Sequence, residues 1–283
     1  MSDSRNGSLF VVGGAEDREN SRRILHRFVQ TAGGDDARIA VVATASSIPE
    51  ELLEEYSSAF SALGVKNLEL VYHEHRVDAE IPKGLEVLKN ATGVYFTGGD
   101  QLKLVTLLGG TAWARVLHEQ YHQGTHIGGT SAGASAMSTV MIARGTSSRT
   151  PRLSSVRLSP GLGILHRVIV DQHFQERHRL NRLIAAVLRN PYMLGFGIDE
   201  NTAFIVDPFG NVNIVGNGTL TVVDASDLIH SNVPEIRESD PIAFAGVKLH
   251  ILAEGWGINI RDQRVVLPKH NNPSSQATDS TVT

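Results

Sequence analysis

The sequence predicts an α/β fold: a mostly parallel sheet with helices on both faces, carrying an antiparallel extension toward its C-terminus. Three observations predict it. Short apolar, β-branched runs alternate with amphipathic segments up to about residue 210, the pattern of strand–helix–strand crossovers. Three of those runs end in glycine pairs, Gly13-Gly14, Gly98-Gly99 and Gly128-Gly129, and in open parallel sheets sites form at the carboxyl ends of strands. From about Asn211 the helical segments give way to short strand runs separated by turn residues.

The elements follow in order. Residues 9–12 form a strand ending at Gly13-Gly14, and a charged helix spans 18–31. A strand at 38–44 leads to a helix at 49–63, whose first turn holds Glu50 and Glu51 where the helix dipole favours acids. Residues 68–72 form a strand, 84–88 a short helix, and 94–97 a strand ending at Gly98-Gly99. Helices at 101–108 and 113–122 precede a short strand at 126–127, then a helix over 132–141. Residues 144–163 read as a long loop with Arg144, Arg149, Arg152 and Arg157 and no acid, either a grip for an anionic substrate or a solvated flap. Strands at 168–170 and 203–206 flank a helix at 180–188, and strands at 212–215, 219–223, 243–252 and 265–266 make the extension. The domain reading is a flexible N-terminus over 1–7, one α/β hydrolytic domain over 8–268, and a disordered tail over 269–283, rich in Ser, Thr, Asn and Pro.

Composition narrows the function. Lys plus Arg number 26 against 30 Asp plus Glu, a net charge of −4 that gives no reason to expect a nucleic-acid partner. The absence of cysteine removes disulfides, thiolate metal sites and a cysteine nucleophile together. No run approaches the roughly 20 apolar residues of a membrane span, and the polar first eight residues do not resemble a signal peptide. A cytoplasmic protein with no membrane partner is expected.

Gly129-Thr130-Ser131-Ala132-Gly133 places a serine between glycines at a strand-to-helix turn. A nucleophile at the tip of such a turn sits on a strained backbone, and side chains two positions either side would collide. The following helix would aim the Ala132 N–H at the reacting carbonyl, with Gly99 as the second oxyanion donor. The bland alternative is a glycine-rich packing turn or a phosphate cradle.

A serine nucleophile needs a base. Of 12 histidines, His26, His118 and His122 lie in charged helices, and His73-Glu74-His75 is too sparse for a metal site. His173, in Asp171-Gln172-His173-Phe174, directly follows the strand at 168–170 and so belongs on the same edge as Ser131. No acid occurs between Ala132 and Val170, so the carboxylate that orients the base comes from elsewhere: Glu200 first, then Asp199 or Asp171.

Four co-ordered motifs resemble the cyanophycinase family: Phe96-Thr97-Gly98-Gly99-Asp100-Gln101, Gly128-Gly129-Thr130-Ser131-Ala132-Gly133-Ala134, Asp171-Gln172-His173-Phe174 with Arg177, Arg179 and Arg182, and Gly195-Phe196-Gly197-Ile198-Asp199-Glu200-Asn201-Thr202-Ala203. The opening Val12-Gly13-Gly14-Ala15-Glu16-Asp17 is similar too, so the likeness runs from about Phe10 to Val266. The resemblance implies a fold related to class I glutamine amidotransferases (flavodoxin-like) and a dimeric serine exopeptidase without metal or cofactor. Its implied substrate is cyanophycin, a polyaspartate bearing arginine on its side-chain carboxylates, released as β-Asp-Arg dipeptides. By carry-over Ser131 is the nucleophile, His173 the base and Glu200 its orienter. Some descriptions of that family place a triad carboxylate in the loop after the serine; here Arg149 falls near that position.

Arg177, Arg179 and Arg182 would hold aspartate carboxylates through guanidinium forks. Gln101 and Gln172 would take hydrogen bonds, and Asp100 or Asp171 would receive the substrate's arginine. Two other readings compete: a dipeptidase for aspartyl or isoaspartyl peptides, and a non-catalytic module using Gly13-Gly14 and Gly98-Gly99 as phosphate turns. The latter suffers from Glu16-Asp17, which would repel phosphate, and from the lack of a G-x-G-x-x-G run.

Overall fold

The computed structural model describes residues 6–268. The expected tail lies outside them, as do the first five residues. Gly7, expected to be flexible, is held: its N–H donates to Tyr121 O at 2.9 Å.

Five parallel strands form the centre: β1 (Leu9–Val12), β2 (Arg38–Val42), β3 (Asn67–Val71), β4 (Gly93–Phe96) and β5 (His126–Thr130). They run in the order β1-β5-β4-β2-β3. β10 (Thr202–Val206) pairs antiparallel with β1 and carries β11 (Asn211–Gly216), β16 (Gly257–Asn259) and β17 (Val265–Val266) outward. The intervening strands are β6 (Val140–Gly145), β7 (Val156–Pro160), β8 (Val168–Asp171), β9 (Leu194–Ile198), β12 (Leu220–Asp224), the short pair β13 (His230–Ser231) and β14 (Phe244–Ala245), and β15 (Lys248–Leu252).

Alternation along the central strands sorts side chains to two cores, because successive residues face opposite sides of a sheet. Phe10, Ile39, Val41 and Tyr95 face helices α1 (Arg23–Thr31) and α2 (Pro49–Ala62), whose Phe28, Tyr56 and Phe60 complete an aromatic cluster. Phe28 sits edge-on to both Phe10 and Tyr95 at 5.3 Å. Leu9, Val11, Val42, Val94 and Phe96 face the other side, where Trp113 and Leu117 of α5 (Ala112–His122), Leu88 of α3 (Pro82–Asn90) and Leu104 of α4 (Gln101–Leu108) bury them. Helices on both faces explain why these strands read as continuous apolar runs.

The structure departs from the sequence reading in several places. The helix at 18–31 begins only at Arg23, because the Asp17 carboxylate accepts the N–H groups of Glu19, Asn20, Ser21 and Arg22 and holds them in a turn. The helix after Ser131, α6, ends at Ala136. The chain then turns into β6, so most of the expected long loop is the β6–β7 hairpin, with Arg144 opposite Arg157. Finally, β8 does not join the main sheet. It pairs parallel with β9 in a second sheet ordered β15-β12-β9-β8. β9 went unrecognised because Gly195 and Gly197 dilute its strand signal. This second sheet packs with α7 (Leu180–Arg189), whose Leu183, Ala186 and Val187 are buried.

Candidate active site

The three glycine-rich strand ends converge as expected. Ser131 joins β5 to α6 at φ 52°, ψ −111°, a left-handed conformation that non-glycine residues rarely adopt. A Cβ on Gly129 would lie 2.8 Å from the backbone of Gly133, and one on Gly133 2.6 Å from Phe96, so the turn has no room for side chains at either position. The Ser131 N–H donates to Val12 O at 3.0 Å, tying the turn to β1.

Ser131 Oγ lies 2.9 Å from His173 Nε2, and His173 Nδ1 lies 2.5 Å from Glu200 Oε1. This order assigns a proton to Nδ1, donated to the carboxylate, and leaves Nε2 to accept the serine proton. His173 comes from the end of β8 in the second sheet, not from the main sheet. It reaches Ser131 because its N–H donates to Gly13 O at 2.8 Å and its ring lies against Gly14. A Cβ on Gly14 would meet the imidazole at 2.3 Å. Glu200 follows β9. Its neighbour Asn201 donates its N–H to Gly14 O at 2.8 Å.

The other two candidate orienters do different work. Asp199 accepts from Thr219 N, Thr219 Oγ1 and Gln175 N at 2.8–3.2 Å, fixing the loop that carries Glu200. Asp171 is buried and paired with Arg182, whose Nε donates to Oδ2 at 2.7 Å while its second guanidinium nitrogen bonds Oδ1. Asp171 therefore does not offer its carboxylate to a substrate guanidinium, contrary to the expectation for it. Asp100 likewise caps α4, accepting from Leu102 N at 2.7 Å and Lys103 N at 3.2 Å, with its other oxygen 4.0 Å from Arg144.

A cavity of about 900 Å³ opens beside Ser131. Gly99, Gln101, Gln172, Arg177, Arg179 and Arg182 line it, as do Arg144, Ser154 and Arg157 of the hairpin region. Five arginines and no carboxylate among the lining residues make it a positive basin. Gln101 Nε2 donates to Ile142 O and Ala143 O, anchoring the hairpin to the site. Arg179 bonds Gln172 through both its backbone oxygen and its side-chain Oε1. Burial, reinforced by the neighbouring Arg182 and Arg177, lowers the Arg179 pKa to about 10, still charged at neutrality. Of the hairpin arginines in the sequence reading, Arg149 and Arg152 point elsewhere; Arg152 bonds Ser239 O. Which arginines faced the cavity was not legible without the β6–β7 register. Gly98 packs with the site as expected, a Cβ there falling 3.5 Å from Ser131 Cβ.

The chain is similar to known proteins over most of its length. The profile of peptidase family S51 matches residues 9–209. A cyanophycinase of Synechococcus elongatus is 40% identical over 270 residues, 94% of this chain and 84% of its own. One from Geminocystis herdmanii is 39% identical over 249 residues, 88% of this chain and 92% of its own. The crystal structure of a peptidase from an acI-B1 Actinobacterium superposes with a TM-score of 0.69 at 22% identity, covering 90% of this chain and 97% of that one, a likeness of fold.

Proposed function

The chain belongs to peptidase family S51, and we propose that it is a serine exopeptidase that degrades cyanophycin to β-Asp-Arg dipeptides through an acyl-enzyme on Ser131. The hydrogen-bonded run from Ser131 through His173 to Glu200 carries the proposal. Ser131 Oγ attacks the scissile carbonyl carbon as its proton passes to His173 Nε2. The new oxyanion is taken by the N–H groups of Gly99 and of Ala132, which opens α6 and has no intrahelical acceptor. Glu200 stabilises the imidazolium, which then protonates the leaving amine. Water, deprotonated by the same imidazole, releases the acyl group and restores Ser131.

Cyanophycin's aspartate side chains are amidated, so its free carboxylates in the repeat are the α-carboxylates of the attached arginines. Arg177 and Arg179 on the cavity wall suit those groups, with Gln101 and Gln172 beside them. Arg182 supports the wall by neutralising Asp171. A homodimer in the cytoplasm completes the reading. Exposed Leu249 and Ile251 on the outer strand β15 would give an assembly an apolar face. No helix among the described residues is long and apolar enough to cross a membrane.

A substrate series tests the proposal: purified cyanophycin, β-Asp-Arg and an isoaspartyl dipeptide, with products identified by mass. Release of β-Asp-Arg from the polymer is expected. Cleavage of the dipeptides with the polymer untouched would replace it by the dipeptidase reading. Light scattering in the same buffer tests for the dimer.

A further inference from the structure

Glu16 is almost fully buried, at 3% exposure, yet takes no part in the chemistry above. Burying a carboxylate is costly unless its lone pairs are met by donors. Three hydroxyls meet them: Tyr56 and Tyr95 on Oε1, the latter at 3.0 Å, and Thr130 on Oε2 at 2.6 Å. Burial, together with the charge of Glu16, raises both phenols well above their ordinary pKa, so they stay protonated and donate. The Arg18 guanidinium lies over the Tyr56 ring at 5.1 Å and closes the cluster from outside.

The location gives the network its meaning. Thr130 immediately precedes Ser131, and its β-branched side chain has few rotamers, so a hydroxyl held by Glu16 fixes the orientation of that residue. The backbone around Glu16 reaches the other members of the triad. Val12 O holds Ser131 N, Gly13 O holds His173 N, Gly14 O holds Asn201 N, and Asp17 N donates to Asn201 Oδ1 at 3.0 Å. Ala15, Ser131, His173 and Asn201 all have left-handed φ between 46° and 52°. Such backbone persists only where its surroundings over-determine it. The segment from Val12 to Asp17 is that surrounding, and the Glu16 side chain is its anchor onto β4, β5 and α2.

We propose that Glu16 is a positioning residue for the reaction: through Thr130 it sets the turn that presents Ser131 Oγ to His173. The inference rests on the reading of Ser131 as nucleophile. In Glu16→Gln the charge is lost and one of the two acceptor oxygens becomes an NH₂ group, so the hydroxyl on that side loses the acceptor that held it. In Thr130→Val the shape is kept and the hydroxyl is lost, while Thr130→Ser keeps the hydroxyl.

The test measures kcat and KM for cyanophycin, or for an isoaspartyl dipeptide should the polymer be inert, in proteins whose melting transition is recorded alongside. Glu16→Gln and Thr130→Val are expected to lower kcat by about 10- to 100-fold, the scale of an ångström misplacement at a reacting centre, with KM within about twofold. Thr130→Ser should recover most of the loss. The double variant should be no slower than the slower single, because the two residues act as one unit. Wild-type kcat in folded Glu16→Gln and Thr130→Val would overturn the inference, as would losses that multiply in the double variant. Ser131→Ala in parallel separates the two claims. If it is inactive while Glu16→Gln is unimpaired, only the role of Glu16 falls; if it is fully active, the nucleophile reading falls and this inference with it.

Discussion

Gly14→Ala adds one methyl group, and the structure says where it goes. The new Cβ would lie 2.3 Å from His173 Cε1 and 2.5 Å from Nε2, where ordinary contact begins near 3.4 Å. The imidazole must therefore recede by about 1 Å, since it is the wall of the collision. Ser131 Oγ and His173 Nε2 are 2.9 Å apart, and opening that pair by a similar amount takes it past hydrogen-bonding range. A displacement of this size costs on the order of 100-fold in rate. Gly14 also has φ 105°, so alanine strains the backbone, by about 1–2 kcal/mol. Paired assays separate the two effects: kcat for release of β-Asp-Arg, and the calorimetric melting temperature. The expected result is a roughly 100-fold fall in kcat with a melting temperature lower by only a few degrees. Full activity in Gly14→Ala would refute the claim that this backbone position sets the imidazole.

Glu200→Gln should lower kcat by about 10³- to 10⁴-fold, because a neutral amide neither holds the tautomer nor stabilises the imidazolium; Asp199→Asn should instead lower the melting temperature, which scanning calorimetry reads. Arg182→Met removes the bidentate partner of the buried Asp171 carboxylate and leaves it only Arg179 at 3.4 Å, which should destabilise the fold by about 3 kcal/mol in urea titration, whereas exposed Arg177→Ala should raise KM about tenfold with the melting temperature unchanged. Burial lowers the pKa of His73 and of His126, and His126 Nδ1 accepts from Ser8 N at 2.9 Å. Both are kept neutral in the folded state while the unfolded chain takes up protons near pH 6.5. Stability present above that pH is therefore lost as pH falls through it toward the lowered folded values. Melting curves from pH 8 to pH 5 should show this slope, reduced in His126→Asn.

Strand–helix alternation made the central sheet legible, and the glycine pairs marked the edge where the site forms. Both signals are local: the four inner strands β1, β2, β4 and β5 are buried on two faces, and each turn has a steric reason for its glycines. The second sheet was not legible, because β9 carries two glycines and β8 has only four residues, so nothing local says which sheet they join. The serine and histidine that the fold brings within 2.9 Å of each other were legible from chain order and chemistry. Asp171 was read as a substrate group because its motif sits beside His173; only the fold turns it inward onto Arg182. The Glu16 network was hidden for the same reason: its partners Tyr56, Tyr95 and Thr130 come from three different elements far apart in the chain.

The account stands most directly on Ser131, and one comparison tests it: purified cyanophycin incubated with wild-type protein and with Ser131→Ala at equal concentration, products identified by mass. Release of β-Asp-Arg by the wild type and none by the folded variant is the predicted result. Equal release by both would contradict the account.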